Sequence, residues 1–474
     1  MTKRYTDVAV IGAGSAGLSA YRAAKATTDN VVLIEGGPYG TTCARVGCMP
    51  SKLLIAAAEA AHGANEAARF GVNVDNIDID GRAVMGRVRR ERDRFVGFVV
   101  DGVESIPATD RVRGYAEFVS DNELRITNES DRSEPETTVV ADRIVIATGS
   151  SPSVPAMFAD LGDRLIVNDD VFDWDDLPGS IAVFGPGVIG LELGQALHRL
   201  GVEVHLFGLG GLLGPISDPA VLDDAQQIFR DEFFVDTDAD VRGLRRVHDG
   251  VEVSYRDRDS TKTTIVDYVL AATGRRPSVA GLKLENTSLP LDARGLPVFS
   301  AETLQIGDSR VFIAGDANNH LPLLHEAADE GRIAGLNAAR YPNVAAGLRR
   351  SPIAVVFSDP QIGLVGQSFA SLSERKIVVG DVSFDDQGRS RVMLKNRGRL
   401  RVYASPGDGR FLGAEMVGPR AEHIAHLLAW AHQNRMTITD MLEMPFYHPT
   451  IEEGVRTALR DAARQLEDRL PRAA

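Results

Sequence analysis

Residues 7–20 read Asp-Val-Ala-Val-Ile-Gly-Ala-Gly-Ser-Ala-Gly-Leu-Ser-Ala, and their order decides the fold. Asp7 to Ile11 is an apolar run of buried-strand type. Gly12, Gly14 and Gly17 follow at the G-x-G-x-x-G spacing, and a helical stretch continues to about Ala26. A second apolar strand, Val31 to Ile34, ends at Glu35. Strand, glycine turn, helix, strand and acid form the context that a dinucleotide fingerprint requires.

The pattern recurs. Ile181 to Phe184 leads into Gly185, Gly187 and Gly190 at the same spacing, then a helix with a glycine stop at Gly201 and a strand from Val202 to Phe207. Two further segments, DRIVIATGSSPSV from Asp142 and DYVLAATGRRPSV from Asp267, align without a gap. Each reads as a buried strand ending in Ala-Thr-Gly, then a proline turn. Paired fingerprints with paired closing strands point to an internal duplication of nucleotide-binding domains. A third strand runs into Gly315-Asp316, and a helix is expected from about Leu323 to Arg340. Beyond Arg350 come short alternating strands (Ile353 to Phe357, Arg399 to Ala404) and helices near 421–433 and 451–466. The expected domains are 1–150 with 275–349, 151–274, and 350–474.

Composition narrows the function classes. The chain has 474 residues, 44% apolar and 25% charged, with a formal net charge of −14. That balance gives no electrostatic footprint for nucleic acid. No apolar run reaches membrane-spanning length, so no membrane partner is expected. The apolar N-terminal stretch is too short for a signal peptide and is interrupted by the glycines. The expected location is the reducing cytoplasm.

Both cysteines of the chain, Cys43 and Cys48, stand in Gly40–Lys52, GTTCARVGCMPSK. No second cysteine pair completes a zinc site, and a structural disulfide closing so small a loop constrains the unfolded chain little. Two unrelated buried thiols have no reason to be neighbours. A redox pair fits better. In a regular helix residues five apart are rotated by about 140°, so the pair needs an irregular turn entering a helix, with Pro50 near its start.

This segment resembles the redox motif of the flavoprotein disulfide reductases, and the resemblance extends over essentially the whole chain. It implies an α/β fold of two Rossmann-like dinucleotide-binding domains, for FAD and NAD(P), plus a C-terminal α+β dimerisation domain. It assigns Gly12, Gly14, Gly17 and Glu35 to the FAD pyrophosphate and ribose, and Asp316 to the ribityl chain. Asp316 also reads as a turn or cap acid. Leu323 and Leu324 open the helix aimed at the flavin, while Thr42, Lys52, Ala116, Thr148 and Gly149 complete the FAD set. Gly185, Gly187, Gly190, Gly208 and Gly274 fall to the nicotinamide dinucleotide. Lys52 and Glu192 would pair beside the flavin; the plain alternative is two solvated surface charges.

In the closing motif FYHPTIEEG, the resemblance makes His448 the acid/base and Glu453 its orienting acid, acting on the cysteines of the partner subunit in a homodimer. Thr450-x-x-Glu453 reads equally as a capping box. Cys43 would meet the substrate and Cys48 the flavin. Pro50-Ser51-Lys52, Val188 in place of a gating tyrosine, and the lack of a C-terminal cysteine pair point among family branches to the dihydrolipoamide dehydrogenases. The implied partner is a lipoyl domain of a 2-oxoacid dehydrogenase complex. Gly190, and the absence of Arg or Lys over 209–217, favour NAD over NADP, although Gly208 stands where NAD enzymes place an acid. Thr41, Ala44-Arg45, Phe446 and Glu452 depart from the common pattern. Two alternatives stay open: reduction of a small disulfide, a quinone or another diaphorase acceptor, and a non-enzymatic flavoprotein interaction subunit.

Overall fold

Gly12 turns the chain at φ 107°, and Gly185 does the same at φ 110°, because only three residues separate the end of each strand from the start of its helix. Around these turns a computed structural model describes residues 2–128, 137–257 and 260–468. Their contacts divide the chain into two compact units. One holds Met1–Pro50, Val88–Ser153 and Gly274–Arg349; the other holds Ser51–Arg87, Val154–Thr273 and Arg350–Ala474.

In the first unit, Thr2–Ile11 lies parallel to Val31–Glu35 on one side and Thr137–Ile146 on the other. Arg111–Arg113 extends the sheet beyond Val31–Glu35, and Val311–Ile313 pairs in parallel with Thr137–Ile146. An antiparallel pair, Tyr115–Ser120 with Glu123–Thr127, completes seven strands. Val8 to Val10 and Val31 to Ile34 are almost fully buried, which is why they read as unbroken apolar runs rather than alternating ones. The residues after each Ala-Thr-Gly, expected to be turns, are instead short strands. Ser150–Pro152 and Arg275–Pro277 pair antiparallel with each other.

Helix Ser15–Lys25 packs on helix Leu324–Arg340 through small residues. A Cβ at Gly331 would lie 2.1 Å from Ala16 O, and one at Gly335 would lie 2.2 Å from Ala20 O. The helices therefore meet backbone to backbone, and this fixes where the N-terminus of Leu324–Arg340 starts.

The second unit has a fully parallel sheet in the order Phe234–Asp236, Glu203–Phe207, Ser180–Phe184, Tyr268–Ala271, Leu165–Ile166. It also has an antiparallel five-stranded sheet running from Ile353–Val356 through Gln361–Gly366, Phe411–Gly418 and Arg399–Ala404 to Val378–Ser383. Helices Ala421–Gln433 and Glu453–Glu467 contribute to the apolar core against that sheet. Buried acids join the two parts. Asp218 caps helix Pro219–Glu232, pairs with Arg401 at 2.7 Å and accepts from Tyr403 Oη at 3.0 Å. Glu415 accepts from the backbone of Ser217, Asp218 and Phe369. Burial, with Glu415 and Asp218 nearby, pushes the Tyr403 hydroxyl well above its ordinary pKa.

Replacing glycine by alanine in an open helix stabilises it by about 1 kcal/mol. Gly331→Ala is expected to do the reverse, with a loss of about 1–3 kcal/mol in denaturant unfolding, because the added methyl meets backbone that cannot turn aside. A gain would show that the two helices can separate.

Candidate active site

The two fingerprints share the backbone hydrogen bonds that hold the turn to its neighbouring strands. Gly12 N donates to Ile34 O at 2.8 Å, and Gly185 N donates to Phe207 O at 2.8 Å. Ala147 N reaches Ile11 O and Ala272 N reaches Phe184 O, again both at 2.8 Å. A Cβ at Gly12 would lie 2.2 Å from Ala147 O, and one at Gly185 would lie 2.3 Å from Ala272 O. Gly14 and Gly187 face open space, with nothing within 4 Å of a built Cβ. In each copy, two glycines are needed for packing and the middle one leaves room for a ligand.

The first unit fits FAD on its own geometry. Glu35 closes the second strand, where its carboxylate accepts from Ala13 N and Gly37 N, each at 2.7 Å. Thr148 Oγ1 is buried without a hydrogen-bond partner among the described residues, beside Gly149 at φ 69°. Asp316 accepts from Ser150 Oγ at 2.7 Å, and that hydroxyl accepts from Arg275 Nε at 2.8 Å. Leu323 precedes helix Leu324–Arg340 in extended conformation, with no side-chain cap on the helix N-terminus. Ala116 is buried on its strand and Thr42 is exposed. Gly274, at φ 98°, has nothing within 4 Å of a built Cβ.

The cysteine segment has the irregular entry that the spacing demanded. Thr42–Val46 is one short helix, Gly47 breaks it, and Cys48 opens the helix Cys48–Glu66. A Cβ at Gly47 would lie 3.1 Å from Thr42 O and 3.2 Å from Cys43 Cα, so a side chain there would spread the turn that separates the cysteines. Cys43 is half-buried and Cys48 exposed. The position of Cys48 in the first turn of a helix favours its thiolate. Arg45 folds its aliphatic stem over Gly40, within 2.9 Å of a built Cβ. Thr41 adopts φ 59°, ψ 151°, a region that belongs to glycine, while its hydroxyl accepts from Ala44 N at 3.2 Å.

In the second unit, Lys52 Nζ lies 2.7 Å from the buried Glu192 carboxylate. The same carboxylate accepts from Phe357 N at 3.0 Å, and the Phe357 ring lies 4.6 Å from Lys52 Nζ. His448, 81% exposed, sets Nδ1 2.9 Å from Glu453 Oε2. Glu453 is the first residue of the last helix and also accepts from Thr450 N at 3.3 Å. The capping box is half present, because the Thr450 hydroxyl turns back to Tyr447 O. One carboxylate oxygen thus contacts both the Thr450 amide and the His448 ring. Burial works to raise the Glu453 pKa, but the hydrogen bonds from His448 and Thr450 N, with the His448 and Arg456 charges, hold it below the usual range.

Several supporting residues carry no local signal. Fully buried Glu330 accepts from Gly315 N at 2.8 Å and Asn318 Nδ2 at 2.7 Å, and pairs with Arg349, so it fixes the loop that carries Asp316. Ser150, Arg275 and Phe357 likewise carry none. Gly47 had a signal, as the one glycine inside the C-x₄-C turn.

Two nucleotide folds, a cysteine pair at a helix start and a histidine–carboxylate couple describe a dinucleotide-linked thiol oxidoreductase. Residues 6–331 match the family described as pyridine nucleotide-disulphide oxidoreductase, and residues 353–459 match its dimerisation domain. The chain belongs to this family. It is therefore an FAD-dependent oxidoreductase that uses a pyridine nucleotide, built of two dinucleotide-binding domains and a dimerisation domain. It is 30% identical to dihydrolipoyl dehydrogenase of Geobacillus stearothermophilus, over 94% of each chain. It is 32% identical to that of Haloferax volcanii, over 97% of each. Mercuric reductase of Shigella flexneri is also 30% identical, over 95% of this chain and 80% of that protein. The fold resembles LpdA from Mycobacterium tuberculosis, with a TM-score of 0.82 at 22% identity covering 98% of this chain and 100% of that one. Among the described residues no helix is long and apolar enough to cross a membrane.

Thr41→Gly tests the strained entry to the cysteine helix. Relief of a glycine-type conformation is worth about 1–3 kcal/mol, offset by a few tenths for the lost cap and up to about 1 kcal/mol of chain entropy. A net gain of about 1 kcal/mol in denaturant unfolding is expected; a loss would mean that the cap outweighs the strain.

Proposed function

We propose that the chain is a dihydrolipoyl dehydrogenase-type enzyme, oxidising a dithiol with NAD⁺ through a Cys43–Cys48 redox pair. The observation that carries the reading is the His448–Glu453 couple in a chain whose only cysteines flank a helix start. An ionised carboxylate can only accept, so the proton between them sits on His448 Nδ1 and leaves Nε2 as the base. His448 takes a proton from one substrate thiol, and that thiolate attacks Cys43 of the oxidised pair. The Cys43–Cys48 bond breaks and Cys48 departs as a thiolate, stabilised at its helix N-terminus. The second substrate thiol attacks the mixed disulfide, releasing the cyclic disulfide and leaving both cysteines reduced. FAD, when bound, supplies the two-electron transfer from the dithiol to the nicotinamide. Lys52, held between Glu192 and the Phe357 ring, keeps a cation in fixed position for that transfer.

We infer the three-domain division at 1–150 with 275–349, 151–274 and 350–474. The dimerisation domain supports a homodimer, and exposed Trp430 and Tyr447 within it offer apolar surface for self-association. His448 then serves the cysteines of the partner subunit, with a lipoyl domain as the dithiol carrier. Mercuric ion is disfavoured as substrate, because no cysteine remains beyond the pair to receive it. Arg45 and the strained Thr41 favour a second reading, an NAD(P)H-dependent reductase of another disulfide or of a quinone. A cation beside the pair stabilises thiolate and shifts its redox balance.

Turnover of dihydrolipoamide with NAD⁺, measured against a panel of other dithiols, disulfides and quinones, separates the two; a preferred acceptor outside the dithiols would displace the first. His448→Gln is expected to slow dithiol oxidation by about 10²–10⁴, and unchanged turnover would remove His448 from the chemistry. Thiol titration gives an independent check. Two-electron reduction should expose two new thiols in the parent chain and none in Cys43→Ser.

A further inference from the structure

We infer that Asp238, backed by Asp236, sets the choice between the two nicotinamide dinucleotides by turning away a 2′-phosphate. The inference rests on the dinucleotide reading of the second fingerprint. In that fold an acid at the end of the second strand accepts from the ribose hydroxyls. Here the strand Glu203–Phe207 is followed by Gly208, and the structure shows why no acid can stand there. A Cβ at Gly208 would lie 2.6 Å from Pro186 Cγ and 2.8 Å from Thr237 O.

The negative charge comes instead from the neighbouring strand. Phe234–Asp236 lies parallel with Asp236 opposite Phe207, and Gly208 N donates to Asp236 O at 2.7 Å. The next turn is stitched to the same loop. Gly211 N donates to Thr237 O at 3.0 Å, and Ala239 N donates to Gly208 O at 2.9 Å. Asp238 Oδ1 accepts from Gly210 N at 2.8 Å, and Asp238 N donates to Asp236 Oδ1 at 3.1 Å. An exposed carboxylate is thus fixed beside the loop that follows the second strand, two residues beyond the position the missing acid would occupy.

Such a carboxylate accepts from hydroxyls and repels a phosphate dianion. Residues 209–217 contain no Lys or Arg to offset it. The guanidinium recorded at this turn, Arg230, is held on Thr237 Oγ1 at 3.1 Å.

The test is calorimetric titration of the FAD-loaded protein with ADP-ribose and with 2′-phospho-ADP-ribose, fragments that bind without undergoing redox chemistry. ADP-ribose should bind at least about tenfold more tightly, the scale of one close like-charge contact near a protein surface. Asp238→Asn keeps an acceptor for Gly210 N and removes the charge, and it should erase most of that ratio by strengthening the phosphorylated fragment. An unchanged ratio in both Asp238→Asn and Asp236→Asn would overturn the inference. Tighter binding of the phosphorylated fragment by the parent protein would also overturn it and give the selecting role to Arg230. Binding of neither fragment would defeat the dinucleotide reading itself, and the inference with it.

Discussion

At Gly17 a methyl group would sit 1.8 Å from the carbonyl oxygen of Gly12, and at Gly190 it would sit 1.9 Å from that of Gly185. In both copies the helix after the first strand is pressed so closely onto the preceding turn that only hydrogen fits between them. The helix N-terminus, whose first amides have no partner within the helix, is thereby held against the strand ends, beside the open space at Gly14 or Gly187. A bulkier residue would lift the helix and move those amides away from any phosphate. The glycine pair Gly331 and Gly335 presses helix Leu324–Arg340 onto Ser15–Lys25 in the same manner. In the first unit, backbone contact therefore sets the position of both helix N-termini.

The cysteine segment relies on a related device with a different outcome. Gly47 closes the turn between the cysteines because a side chain would meet Thr42 O and Cys43 Cα. At Thr41 the chain adopts a glycine conformation without a glycine, and the threonine hydroxyl recovers part of the cost by capping Ala44 N. Strain of this kind persists only where the surroundings hold it in place. Here Gly40, packed beneath the Arg45 stem and Val96, supplies that hold. The departures from the common motif are consequently coupled. Arg45 covers Gly40, and Gly40 leads directly into the strained residue.

Much of this was legible in the sequence because it is local. The fingerprints, the Ala-Thr-Gly strands, the broken helix at the cysteines and the helix Ala421–Gln433 are each specified within about a dozen residues. What was not legible depends on residues far apart in the chain. Ser150–Pro152 and Arg275–Pro277 look like proline turns in isolation and become strands only because each supplies the other's partner. Glu330 reads as an ordinary helix acid, yet it is fully buried on Gly315 and Asn318. Phe357 follows an apolar strand and gives no sign that its ring will lie against Lys52 and its amide against Glu192. Gly208 was legible as a missing acid. That Pro186 and Thr237 leave no room for one was not.

Glu453 shows why sequence could not choose between its structural and chemical readings. Its position after Thr450 is right for a helix cap, and its position after His448-Pro449 is right for orienting an imidazole. The carboxylate has two oxygens and several lone pairs, and Oε2 alone serves both Thr450 N and His448 Nδ1. Oε1 takes Arg456 at 2.7 Å. The start of the last helix and the direction of the histidine are thus fixed by one group. Anything that unwinds the first turn of Glu453–Glu467 also releases His448, so the packing of that helix into the antiparallel-sheet core is a condition for the imidazole to keep its direction.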